Sequence, residues 1–276
     1  MFPSFLLSLR EGIEAALIIG ILLGALKKFN RTHLSYVVWT GAGTAALLSL
    51  IVAFVLNAIG MSLEGTAEAI FEGTTMILAA ALLTWMIFWM QNHARFIKQN
   101  IEADVHRATR QKGGGRALFL VAFLAVMREG IELALFITAV NLTASPSQTL
   151  TGTVLGLATS VVLGWLLFAS TIRLDLRRFF QVTSFLLILF AAGLLAYGVH
   201  EFNEVGIIPP VIEHVWDINF LLDEKSVLGQ LLTSLFGYNG NPSLTEVIAY
   251  VGYFVVLWLA LRQGRKMPRI AQENAG

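Results

Sequence analysis

The sequence predicts an all-α polytopic membrane protein with seven transmembrane helices, and three observations predict it. Of its 276 residues, 56% are hydrophobic and only 13% charged, with a mean hydropathy of +0.72. Such a balance suits a chain folded in lipid and not a soluble domain. Seven apolar runs come close to the length of about 20 residues that a membrane helix needs. The basic residues gather in alternate connections, as they do when one side of the membrane holds the positive loops.

The first span runs near 3–26 and is interrupted by Arg10, Glu11 and Glu14. Met1 to Leu9 has no basic stretch ahead of its apolar run, so it reads as a retained span and not as a cleaved signal. The second span, Leu34 to Gly60, is free of Asp, Glu, Lys and Arg. The third, near 66–90, opens with Glu68 and Glu72 just after Glu64, then stays apolar to Met90. The polar stretch Gln91 to Arg116 extends that helix and breaks it at Gly113-Gly114-Gly115. The fourth span, near 117–141, carries Arg128, Glu129 and Glu132 at its middle, and the fifth, Thr149 to Ile172, is again uncharged. The sixth runs near 179–201 and leads into His200, Glu201 and Glu204. A long loop separates it from the seventh, near 245–261. Within that loop Val227, Leu228, Leu231, Leu232, Leu235 and Phe236 form a helical stripe suited to the membrane surface. Ser243 and Glu246 make a capping box at the start of the seventh span.

Of the 19 Lys and Arg residues, all but Arg10, Arg128 and Lys225 fall after spans one, three and five or in the C-terminal tail. That bias puts the N-terminus outside and the C-terminus in the cytoplasm. An odd number of spans per half inverts the second half against the first. The expected plan is one membrane domain over residues 1–276. Residues 1–90 form a first three-helix repeat and 117–201 a second, followed by a periplasmic loop at 202–244. The seventh helix and a cytoplasmic tail occupy 245–276. Inverted repeats of this kind place a transport site at their interface. Small residues such as Gly20 and Gly24, or Gly152 and Gly156, permit close helix contacts.

The chemistry lies in a duplicated motif: Arg10-Glu11-Gly12-Ile13-Glu14 recurs as Arg128-Glu129-Gly130-Ile131-Glu132. On a helix the Arg and second Glu are one turn apart, and the two acids lie within about 60° of each other. A charge at the centre of a membrane helix costs roughly 2.5–3.5 kcal/mol on insertion scales, so two such clusters require a reason. Internal pairing of Arg10 with Glu14 and of Arg128 with Glu132 would make the helices tolerable in lipid. That structural reading predicts balanced charge, whereas four motif acids face two arginines, and Glu68 and Glu72 enlarge the surplus. Surplus intramembrane acids carry protons or hold cations. With no cysteine there is neither a disulfide nor a thiolate metal site. Carboxylate oxygens favour a hard ion such as iron, manganese or magnesium. Arg10 and Arg128 then support the site by keeping the acids ionised. Glu68 and Glu72 extend the path outward. Glu64, Glu201 and Glu204 form either a cation-collecting vestibule or plain solvated helix ends, and His200 meets either the ion or the headgroups.

Two alternatives remain at this point. One is a proton-coupled transporter of another cation or solute. The other is a membrane-embedded metalloenzyme, for which His200-Glu201-Phe202-Asn203-Glu204 lacks the second histidine of a metal-hydrolase motif. Nothing in the chain suggests a catalytic triad, a bound cofactor or a nucleic-acid partner.

Two copies of Arg-Glu-Gly-Ile-Glu, on spans one and four of a seven-span chain, resemble the oxidase-dependent iron transporter family. The lack of cysteine and of a long soluble tail is similar to its bacterial ferrous iron permeases. The resemblance implies iron uptake at the bacterial inner membrane, with Glu11, Glu14, Glu129 and Glu132 as iron-handling carboxylates. It also implies partners on the periplasmic side, an iron-binding protein and a haem-containing peroxidase.

Overall fold

Helix α1 (Phe2–Lys28) starts with Pro3 in its first turn, where a missing N–H costs nothing, and ends on Lys27 and Lys28, which complement the helix dipole. The computed structural model describes residues 1–93, 103, 105, 107, 114–169, 176–224 and 226–264. A 3-10 turn (Thr32–Leu34) leads into α2 (Ser35–Ser62), and Gly65, at φ +61°, turns the chain into α3 (Thr66–His93). Next come α4 (Gly114–Thr143), α5 (Pro146–Ala169), α6 (Leu176–Glu204), α7 (Val227–Phe236) and α8 (Leu244–Gly264). Among the described residues every regular element is helical.

Among the described residues, five helices are long and apolar enough to cross a membrane: α2 with its leading turn, α3, α5, α6 and α8. The other two long helices, α1 and α4, span 27 and 30 residues but contain the charged motifs. Both are shielded by neighbours. Helix α1 lies along α5 and α4 along α2, while α1 and α4 also meet each other. The third strong pairing is α3 with α6, and α8 packs on the outside of α6. The bundle's rim is apolar, with Leu50 and Phe54 of α2, Val161 and Trp165 of α5, and Val256 and Trp258 of α8 all exposed. Such a surface is stable only against lipid.

Missing side chains allow these contacts. A Cβ at Gly156 would stand 2.5 Å from the Phe5 carbonyl oxygen, and one at Gly152 would run into Ser4, so α5 can approach α1 only with glycine there. The Gly152/Gly156 expectation therefore holds. A Cβ at Gly24, by contrast, would meet nothing within 4 Å among the described residues, and the expected close contact does not form with them. At the α3–α6 crossing, a Cβ at Gly73 would stand 2.9 Å from the Gly198 carbonyl oxygen, and one at Gly198 would stand 3.0 Å from that of Gly73. Gly114 and Gly115 begin α4, so a helix boundary falls at the glycine run, while Gly113 lies outside the described residues. So do Arg95, Lys98, Arg110, Lys112, Arg173, Arg265, Lys266 and Arg269 of the basic connections, and Lys225 of the long loop.

Two apolar clusters flank the level of the motifs. One joins Leu6 and Leu7 of α1 with Met76 and Leu83 of α3, Phe136 and Val140 of α4, and Phe190 and Leu194 of α6. The other joins Leu22 and Leu26 of α1 with Val37 and Val38 of α2 and Leu118 and Ala122 of α4. Residues 10–14 and 128–132 lie between these clusters along both helices, so the charged layer is closed off by hydrocarbon at each end.

The long loop folds back into the bundle. Ser226 caps α7 by accepting a hydrogen bond from the Gly229 N–H at 2.9 Å, and Gly237, at φ +66°, ends it in the left-handed conformation. That end rests on Gly193, about three turns, or roughly 16 Å, short of the end of α6. Tyr197 donates to the Tyr238 carbonyl at 3.2 Å and fixes the descent. Of the expected stripe, Leu228 is exposed while Leu232 and Phe236 are half-buried; the side chains of Val227, Leu231 and Leu235 lie outside the described residues. A segment expected to lie along the membrane surface thus tips inward at its C-terminal end, because two glycines let the backbones touch.

Candidate metal site

Antiparallel contact between α1 and α4 brings the two motifs together. Arg10 Nε donates to Glu14 Oε1 at 3.2 Å, and Arg128 Nε donates to Glu132 Oε1 at 2.9 Å. Both pairs follow from the one-turn spacing. Glu11, Glu14, Glu129 and Glu132 are all buried. Carboxylate oxygens from Glu11, Glu14 and Glu129 lie within 4.8 Å of one another. Among the described residues, neither Glu11 oxygen receives a hydrogen bond, nor does Glu129 Oε2 or Glu132 Oε2. Arg10 is wholly buried, and its Nη1 and Nη2 have no acceptor among the described residues.

This arrangement is charged, dry and incompletely satisfied. Three converging carboxylates repel one another, and burial raises the cost because no water screens them. The cation beside them, Arg10, binds Glu14 through one nitrogen. A hard cation with several oxygen ligands is the chemical complement of the group. Glu132 is adjacent in charge to Glu14 but directs one oxygen at Arg128, so it borders the trio without being one of the three.

Glu68 and Glu72 sit elsewhere, in the first two turns of α3. Glu68 is exposed and Glu72 half-buried. Their charged neighbours are Glu201 and Glu204 at the end of α6, brought close by the Gly73–Gly198 crossing. His200 joins this group and is bound on both sides: Nδ1 lies 3.0 Å from Glu246 Oε1 and Nε2 3.4 Å from Glu204 Oε1. Glu64 is exposed at the entrance to α3.

The capping box forms as expected, with the Ser243 N–H donating to Glu246 Oε1 at 3.2 Å and the Glu246 N–H to Ser243 Oγ at 3.3 Å. Its tie to His200 was not foreseen, since the two residues are far apart in sequence. Other contacts also escaped the sequence reading. Ser160 of α5 covers Gly12, and Ser49 of α2 covers Gly130. Asn141 donates to Asn57 Oδ1 at 2.8 Å, joining α4 to α2. Trp85 and Trp89 of α3 lie against the Arg128 guanidinium, with ring centroids 5.4 and 4.3 Å from its carbon. The one available signal was their spacing of four residues, which puts both rings on one face of α3.

Comparison with known proteins gives a consistent result. The model of the iron permease FTR1 family matches residues 1–264. The ferrous iron permease EfeU of Escherichia coli O6:K15:H31 is 37% identical over 257 residues, covering 92% of this chain and 93% of the relative. The ferrous iron permease EfeU of Yersinia pestis is 32% identical over 256 residues, covering 92% and 91%. No solved structure matches. With the family model spanning both motifs and nearly all of the described chain, the protein belongs to the iron permease FTR1 family.

Proposed function

We propose that the chain carries iron across a bacterial inner membrane through the buried carboxylates of Glu11, Glu14 and Glu129, with Glu132 as an adjoining ligand. The observation that carries this reading is the convergence of three acids from two helices within 4.8 Å, in a layer bounded by apolar clusters. An ion moving through such a layer needs oxygen ligands to replace its water. It also needs negative charge that is not already neutralised from within. Arg10 and Arg128 each bind one carboxylate, limiting repulsion without cancelling it. Glu68 and Glu72, beside Glu201 and Glu204, collect cations at the outer end of α3 and α6.

The helices form seven spans in two inverted three-helix repeats plus α8, with the N-terminus periplasmic and the C-terminus cytoplasmic. Support comes from matched packing: α1 runs along α5 as α4 runs along α2, and a serine covers the motif glycine in both places. Ferrous iron is the form offered, in keeping with the names of the relatives, and the chain alone carries it. Oxidation outside the membrane by a peroxidase partner, with peroxide as the electron acceptor, is an added feed to the outer acids and not a requirement. An iron-binding protein and a haem peroxidase in the periplasm are the proposed partners.

Uptake of labelled ferrous iron into liposomes containing the purified chain, with manganese, magnesium and an imposed proton gradient as variables, tests the reading. Saturable iron uptake that magnesium does not suppress is expected. Transport of another solute driven by the gradient, with iron inert, would replace it with a proton-coupled carrier.

A further inference from the structure

The two motif arginines make the same bond in different surroundings. Arg10 is enclosed on every side, while the Arg128 side chain is 31% exposed. Arg128 has charged attractions beyond its partner Glu132, since Glu129 and Glu14 both lie within electrostatic reach. Among the described residues its Nη2 is buried without an acceptor, and Glu129 Oε2 is buried without a donor. A long, flexible side chain in that position is drawn towards the three converging acids. The obstacle is α3: the guanidinium lies over the Trp89 ring at 4.3 Å and near Trp85 at 5.4 Å. A stacked guanidinium keeps its plane parallel to the ring and directs its N–H edge outward, here with Nε towards Glu132.

We infer that Trp85 and Trp89 are positioning residues for iron transport: their rings hold Arg128 on Glu132 and keep its charge away from Glu11, Glu14 and Glu129. This rests on the reading of those three acids as the iron ligands. The surplus negative charge of the centre is then a product of α3 as well as of the motifs. Without the rings, Arg128 swings towards Glu129, neutralises part of the centre, and weakens cation binding without removing any ligand.

The test is the iron dependence of uptake in proteoliposomes for Trp89→Leu, Trp85→Leu and Trp89→Phe, with Glu129→Gln measured alongside. Leucine keeps apolar bulk but removes the π face, whereas phenylalanine keeps a face. The expected result is a rise in KM of roughly three- to thirtyfold for Trp89→Leu, with the maximal rate kept. Trp85→Leu should show a smaller rise, and Trp89→Phe should restore most of the affinity. Trp85 lies at the bundle rim, 52% exposed, so its variant remains informative if Trp89→Leu does not insert. Unchanged KM in both leucine variants, or equal defects with leucine and phenylalanine, would overturn the inference and leave the rings as packing. If those results came with Glu129→Gln inactive, only the positioning role would fall. Normal transport by Glu129→Gln would instead remove the iron centre on which it rests.

Discussion

Ser160 of α5 lies directly against Gly12, at the centre of the first motif, and leaves no space for a Cβ at that position. The serine hydroxyl, the atom nearest that position, also donates to the Leu157 carbonyl at 2.7 Å. Ser49 stands in the same relation to Gly130, donating to Ala45 at 2.8 Å. The glycine between the acids is thus a docking point for a neighbouring helix, which pins each motif helix beside the converging carboxylates.

Gly12→Ala and Gly130→Ala should each destabilise the protein by about 1–3 kcal/mol through overpacking. Thermal unfolding in detergent measures this, and Ser160→Gly combined with Gly12→Ala should recover most of the loss. A Gly12→Ala protein as stable as the parent would show that α5 can move away freely.

Arg10→Lys should be more damaging than Arg128→Lys. A lysine at position 10 has one compact charge in an enclosed space shaped for a fork. At position 128 a lysine still stands over Trp89 and is partly exposed. Uptake assays should show near-complete loss for the first and a partial loss for the second. The reverse order would contradict the asymmetry of the two sites.

The inward-tipped loop is held by the Gly193–Gly237 contact, and Gly237 also needs its positive φ. Gly193→Val should displace α7 by removing the space for that contact. The chain has no cysteine, so Thr233→Cys provides a single labelling site. A membrane-impermeant maleimide should modify Thr233→Cys at least about threefold faster in the Gly193→Val background, a change of the size expected from losing packing worth about 1 kcal/mol. Equal rates would mean that the loop does not depend on Gly193.

Most of the helical plan is legible because spans and caps are local in sequence. Apolar runs predict the long helices, and Ser243 and Glu246 predict their own capping box. The motif pairs, Arg10 with Glu14 and Arg128 with Glu132, are equally local. Contacts set by tertiary packing are not legible. Gly24 and Gly156 look alike in sequence, yet one meets open space and the other a backbone carbonyl. His200 finds Glu246, and Arg128 finds Trp89, only because the helices bring distant residues together. For the same reason the motif acids divide unevenly. Glu129 joins Glu11 and Glu14, while Glu132 remains with Arg128, a distinction absent from two identical five-residue strings.

The most direct test of the carboxylate centre is iron uptake by reconstituted Glu11→Gln, Glu14→Gln and Glu129→Gln proteins, compared with Glu213→Gln. Glu213 is exposed in the long loop, away from the motifs. Each substitution at the centre removes one charge from the set that must replace the ion's water. The loss should be at least about tenfold, since even disturbing groups behind a metal ligand commonly costs that much. Glu213→Gln should transport like the parent. Parental uptake by all three centre variants, correctly inserted, would contradict the account and reduce the convergent acids to a structural feature of the helix crossing.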